Sequence, residues 1–238
     1  MDFLFILLIL LVLLAVLAIQ GLKKRPEGKR PSSTRPPYDA MYARIYDTIW
    51  HDRTVYKAEL DQVNRRVTTE SVLLDVGCGL GHLVADLPCQ ATGLDVAAMV
   101  DAAKQRYPNR TFYVGDVLDR SFPSESFTHI TCLGNTLFYI EKKHLFFHRA
   151  FQWLEPGGTL LVAVRWRHPP RDKFKANHFS YQNKWVGNDF VETIKTKGET
   201  IHYKHAVFPE KEKVIVETAQ KAGFVVVANH DILILQKV

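Results

Sequence analysis

Asp75, Gly77, Gly79 and Gly81 fall within the run Val72-Leu73-Leu74-Asp75-Val76-Gly77-Cys78-Gly79-Leu80-Gly81-His82. Glycines at alternate positions let a backbone turn press against a ligand where side chains would block it. A helix start after such a turn adds free N–H groups. The carboxylate of Asp75 decides the sign of the ligand. It would repel a phosphate, but it suits an ammonium or ribose hydroxyls. Asp95 follows twenty residues later, and Asp116 sits in Val114-Gly115-Asp116-Val117. Carboxylates at the C-terminal ends of adjacent parallel strands converge on one crevice, the usual ligand position in open α/β sheets. Together they point to a cationic nucleoside. A nicotinamide-binding turn would read G-x-G-x-x-G, whereas here the spacing is Gly77-x-Gly79-x-Gly81.

The elements needed to hold these groups can be read from periodicity. Tyr38, Tyr42 and Tyr46 recur at i, i+4 and i+8 and predict an amphipathic helix ending near His51, with a second helix over 55–67. Strands are expected at 72–76, 91–96, 111–114, 127–133 and 159–164. Helices are expected between them at 81–87, 97–107 and 142–154. Such alternation builds a parallel sheet covered on both faces. Residues 165–200 break the rhythm with Pro169-Pro170, many cations and six aromatics, among them Trp166, Trp185 and Phe190. An extended segment at 200–208, a helix at 210–222 and strands at 224–229 and 232–236 complete the chain.

The chain has 238 residues, 47% of them hydrophobic, and a formal charge of +6. Much of that charge lies in the Pro-rich segment 23–37, which reads as a tether. From Tyr38 onward the balance is only slightly positive, which disfavours a broad nucleic-acid footprint. Phe3 to Leu22 is apolar but for Gln20 and Gly21, long enough at about 1.5 Å per residue to cross a bilayer core of about 30 Å. The basic block after it favours an uncleaved single-pass anchor with the C-terminal domain in the cytosol. Cys78, Cys89 and Cys132 match no zinc or redox spacing and read as buried thiols.

From Tyr38 to the C-terminus the chain resembles the class I S-adenosylmethionine-dependent methyltransferases. The resemblance is carried by LLDVGCGLGHL (73–83), TGLDVAAMVDAA (92–103), FYVGDVLD (112–119) and LEPGGTLLVAV (154–164). It implies a three-layer α/β/α fold around a doubly wound, seven-stranded sheet of order 3-2-1-4-5-7-6, strand 7 antiparallel. This domain (38–238) would follow the anchor (1–22) and linker (23–37), with a substrate-side insertion at 165–208. The resemblance also implies S-adenosylmethionine as cofactor. Asp75 and the backbone of Gly77, Cys78, Gly79 and Gly81 would hold its methionine portion, and Asp95 its ribose. Val96 and Met99 would pack near the adenine, Asp116 and Val117 would bind its edge, and Leu133 would line the methionine side. Tyr38, with Tyr42 and Tyr46, would form a lid bringing an aromatic face to the sulfonium. Relatives often carry Phe-Asp at the start of strand 4, where this chain has Phe127-Thr128.

The expected reaction is methyl transfer to a small-molecule or lipid-like acceptor near a membrane. The alternatives are a protein methyltransferase and an inactive scaffold tethered to the membrane. No Asn-Pro-Pro-Tyr or Asp-Pro-Pro-Tyr follows strand 4, where enzymes methylating bases and glutamine often carry it. His168, His178, His202 and His205 are candidate acid/base groups, each more simply read as an ordinary surface or core histidine. His144 and His148 lack a third ligand, so no metal is expected. The aromatics of 165–200 read as local packing.

Overall fold

The computed structural model describes residues 32–238. The expected anchor over 1–22 lies outside the described residues, and none of the described helices is long and apolar enough to cross a membrane. The tether reading extends too far, because Ser32–Arg35 already forms a strand, β1.

Two helices follow, α1 (Ala40–Trp50) and α2 (Arg53–Asn64), each opened by an aspartate cap. Asp39 accepts from the Tyr42 amide, and Asp52 accepts from those of Thr54 and Val55, so α2 starts ahead of its apolar stripe. The central sheet then builds through β2 (Val72–Val76), α3 (His82–Asp86), β3 (Gln90–Asp95), α4 (Ala97–Arg106), β4 (Thr111–Val114) and β5 (Phe127–Cys132). It continues through α5 (Thr136–Tyr139), α6 (Lys143–Trp153) and β6 (Leu154–Ala163). After an excursion into a second sheet, α7 (Glu212–Lys221), β11 (Phe224–Asn229) and β12 (Ile232–Lys237) close the fold.

The spatial order is β4-β3-β2-β5-β6-β12-β11, with β12 antiparallel to both neighbours. This is the expected 3-2-1-4-5-7-6 arrangement. Alternate side chains of each strand feed separate cores, as a period of two requires. Leu74, Val76, Leu160 and Leu233 pack with α6 and α7 on one face. Leu73, Leu161 and Ile234 pack with α3 and α4 on the other. Thr128 does the structural work of the missing aspartate. Its hydroxyl donates to the Val72 carbonyl and accepts the Val72 amide, both at 3.0 Å, pinning β5 to β2.

The stretch 165–208, expected as an insertion, is built largely of strands. It forms β7 (Lys173–Lys175), β8 (Ser180–Val186), β9 (Asp189–Lys195) and β10 (Thr200–Ala206). With β1 these make a second sheet of order β1-β10-β9-β8-β7, antiparallel except for the β1–β10 pair. Its inner face lies against α1. Tyr181, Ile194, Ile201 and Tyr203 bury themselves there with Tyr42 and Ile49.

Candidate functional site

A cavity of about 670 Å³ opens where the C-terminal ends of β2, β3, β4 and β5 meet α1 and α2. It falls in the roughly 300–1,000 Å³ range of small-molecule and cofactor sites. Asp75, Gly77, Cys78, Gly79, Asp95 and Val96 line it, together with Met99, Asp116, Val117, Leu133 and Tyr38. Eleven of the twelve residues expected at a cofactor site therefore line one cavity.

Gly81 is the exception and lies outside the lining. Its φ is +82°, and a Cβ there would meet the Phe112 ring at 2.7 Å. Its role is the close approach of α3 to the sheet. Gly77 faces the cavity, with φ +73° and the Thr136 hydroxyl 2.2 Å from where a Cβ would stand. The helix after the turn spans only five residues, so carboxylates rather than a helix N-terminus set the character of the site.

Both oxygens of Asp95 are used by the turn, accepting the Gly79 and Val96 amides at 2.7 Å each. Each can accept a second hydrogen bond from the cavity. Asp75 is 4% exposed and accepts the Thr131 hydroxyl at 2.7 Å. Neither carboxylate has a Lys or Arg ion-pair partner among the described residues. Burial pushes Asp75 up to about 7, against the Thr131 hydrogen bond and with the Asp95 charge adding to it. Burial likewise pushes Asp95 up to about 6, against its two backbone hydrogen bonds. A cation fits such a pair of acids. Asp116 is more exposed, and its carboxylate accepts the Leu118 amide at 2.8 Å.

These shifts set a pH dependence. Both acids hold protons in the folded state that they release in the unfolded chain above about pH 4, so the folded form binds more protons between about 4 and 7. Their contribution is therefore greatest below pH 4 and falls as pH rises towards 7, by up to about 1.4 kcal/mol per pH unit for each carboxyl. Urea titrations across this window are expected to show the decline, and Asp75→Asn to flatten it. Stability independent of pH between 4 and 7 in the parent chain would refute the assignment.

Of the opposite wall, Tyr38 and Tyr46 were expected as lid residues, and the others were not. Tyr38 and Tyr46 line it, with Trp50, Tyr56, Glu59 and Tyr139. Tyr38 precedes α1 with φ +60°, a left-handed conformation costly for a non-glycine residue. This sets its ring edge-on to Tyr42, Tyr139 and His205. Tyr42, expected in the lid, is fully buried and turned from the cavity. Glu59 pairs with Arg167 at 2.7 Å and accepts the Gly134 amide at 3.3 Å. Burial raises its carboxyl above the ordinary value, against the Arg167 charge. Asn135 clamps the Arg167 backbone by two hydrogen bonds of 2.7 Å, so the guanidinium is held in place.

Of the candidate histidines, only His168 reaches the cavity. His202 pairs with the Thr193 hydroxyl at 3.0 Å, and His205 is buried against Glu192 at 2.7 Å. Asp47, His51 and His82 bring one ligand atom each within 4.8 Å of one another. The Arg106 guanidinium already lies 2.7 Å from Asp47 and 3.1 Å from His82, supplying a positive charge from within the chain. Burial would raise Asp47, but its hydrogen bonds from His82 and Arg106 prevail and hold it at about 2. The aromatics Trp166, Trp185 and Phe190 pack on one another outside the cavity, as expected of local packing. All three cysteines are free and buried.

Residues 74–162, which supply four of these strands, match the family model described as a methyltransferase domain. Over this stretch the chain is similar to a methyltransferase domain, and a solved structure of the same fold holds S-adenosylmethionine. The chain is 28% identical over 139 residues to phosphoethanolamine N-methyltransferase 1 of Arabidopsis thaliana, covering 55% of this chain and 25% of the relative. It is 29% identical over 142 residues to dTDP-3-amino-3,4,6-trideoxy-alpha-D-glucopyranose N,N-dimethyltransferase of Streptomyces venezuelae, covering 54% and 59%. The chain thus spans about a quarter of the length of the plant relative. The fold is shared with the S-adenosylmethionine-bound amino pentose methyltransferase of Micromonospora echinaspora. That likeness has a TM-score of 0.59 at 18% identity and covers 84% of this chain and 96% of the other.

Proposed function

We propose that the domain transfers the methyl group of S-adenosylmethionine to the nitrogen of a small amine. One observation carries this reading. A single cavity is lined both by Asp75 and Asp95, which have no Lys or Arg partner among the described residues, and by Glu59, Tyr38, Tyr46, Trp50, Tyr56 and Tyr139. Aromatic faces and a carboxylate form the environment an ammonium prefers. The two curated relatives are both named for N-methylation, which supports the choice of acceptor atom.

In this reading Asp95 accepts the ribose hydroxyls, and Asp75 with the turn at Gly77, Cys78 and Gly79 holds the methionine end. Val96, Met99, Asp116 and Val117 bound the adenine, while Leu133 and Tyr38 flank the reacting end. The cofactor supplies an electrophilic methyl group on a sulfonium, so the chain must chiefly align the acceptor and exclude water. An amine protonated at neutral pH must first give up its proton. Glu59 holds the amine through its carboxylate, and Arg167 fixes that carboxylate in position. The apolar run 3–22 is proposed as a single-pass anchor that leaves the domain cytosolic, where a lipid-like amine would be concentrated by proximity.

The test is incubation of the full chain with methyl-labelled S-adenosylmethionine and matched acceptors, phosphoethanolamine and ethanolamine against ethylene glycol. Label is expected on the amines alone. Glu59→Gln should raise the amine KM at least about tenfold, the loss of a charge-assisted hydrogen bond, with cofactor affinity unchanged. Equal labelling of the diol, or an unchanged KM in the variant, would count against the amine assignment.

A further inference from the structure

The modest net charge of the folded part conceals a polarity. Residues 165–205 hold nine Lys and Arg against four Asp and Glu, whereas residues 38–164 hold twelve against fifteen. The register of the second sheet shows where this excess goes. Tyr181, Ile194, Ile201 and Tyr203 point inward to α1, so the residues alternating with them point outward. One outward row runs Lys175, Ser180, Lys195, Thr200, Ser32 across all five strands. The adjacent row runs Lys173, Gln182, Thr193, His202, Thr34, and a third runs Lys184, Val191, Lys204. All five lysines are exposed. A single acid shares this face, Asp189, and it is paired with Lys204 at 2.7 Å. Five strands about 4.8 Å apart make a basic face about 20 Å wide.

We propose that this outer face is a docking surface for an anionic lipid bilayer. It goes beyond the methyl-transfer reading and does not depend on it. The face bears Lys, Ser, Thr, Gln, His202 and Val191 without the aromatic platforms that single-stranded nucleic acids stack upon. At the β8–β9 turn the outward Val186 is 50% exposed, an apolar side chain beside the lysines. The sequence leading into β1 agrees. Lys23, Lys24, Arg25, Lys29 and Arg30 precede Ser32, and the apolar run lies just before them. The ten residues from Leu22 to Ser32 can span at most about 35 Å, and the strand they enter belongs to this sheet.

Sedimentation of the full chain with vesicles tests this. Phosphatidylcholine vesicles are compared with vesicles containing phosphatidylserine at about 30 mol%, a strongly anionic surface. The triple variant Lys173→Gln, Lys175→Gln, Lys195→Gln leaves the N-terminal sequence intact. Each lysine near such a surface is worth roughly fivefold in affinity, so the variant should lose at least about tenfold on anionic vesicles and nothing on neutral ones. A control triple, Lys57→Gln, Lys104→Gln, Lys142→Gln, lowers net charge equally on other surfaces and should change binding less than about threefold. Thermal melts establish that both variants fold. Equal losses in the two triples, or none in the first, would overturn the proposal. So would tighter binding of the parent chain to a poly-uridine RNA than to anionic vesicles.

Discussion

Asp95→Ala is expected to weaken S-adenosylmethionine binding by about two to three orders of magnitude. An ionised carboxylate accepting two hydroxyls contributes roughly 1.5–3 kcal/mol per hydrogen bond, and alanine removes both. It also releases the Gly79 and Val96 amides, which Asp95 now holds at 2.7 Å. The turn itself should therefore loosen. Calorimetry on the full chain at pH 8, above the raised value of about 6 for Asp95, measures the loss with the carboxylate ionised in the parent. Asp95→Asn keeps one acceptor oxygen and should fall between the two. An alanine variant that binds as tightly as the parent would remove Asp95 from the site. A parent chain that folds but does not bind the cofactor would favour the scaffold reading.

The second large effect lies away from the cavity. Glu192 is fully buried at the inner face of the second sheet, and the Tyr42 and Tyr181 hydroxyls both donate to it. His205 lies 2.7 Å from the same carboxylate, and Trp50 donates to the Tyr42 hydroxyl at 2.7 Å. Glu192→Ala would leave three buried polar groups without their partner. Removing one member of such a network costs about 3–5 kcal/mol, a large part of the 5–15 kcal/mol that holds an ordinary domain together. Urea denaturation should show this loss, and Glu192→Gln, which keeps its shape and one acceptor, should cost about half as much. A cost below about 1 kcal/mol for alanine would mean that water replaces the carboxylate, contrary to its complete burial.

The central sheet was legible because its strands obey simple rules. Val72–Val76 and Leu160–Ala163 are largely apolar runs bounded by turn residues, and Asp75, Asp95 and Asp116 stand at or just past the strand ends that open on the cavity. The second sheet was hidden by its own chemistry. Phe190, Glu192 and Ile194 alternate inward on β9, as do Ile201, Tyr203 and His205 on β10. A buried glutamate and histidine interrupt what would otherwise read as plain apolar alternation, and they pair through His205 Nε2 across strands. Glu59 was equally silent, because nothing local distinguishes it from a solvated helix carboxylate. Only the approach of Arg167, more than a hundred residues away, makes it part of a cavity. The short helix expected over 81–87 behind the glycine turn is α3, which ends at Asp86 ahead of Pro88.

The pairing of β1 with β10 has a consequence for the order of assembly. Ser32 meets Thr200, 168 positions further along the chain, and α1 buries Tyr42 against strands that are likewise distant. At about 5–20 residues per second, a ribosome needs roughly 10–30 seconds to make what lies between. Throughout that interval Tyr42 and Ile49 have no sheet to cover them, and the wall carrying Tyr38 and Tyr46 has nothing behind it. The glycine turn and its carboxylates can form early, but the cavity gains its aromatic wall only when β8, β9 and β10 arrive. The first strand of the fold is thus among the last to find its place.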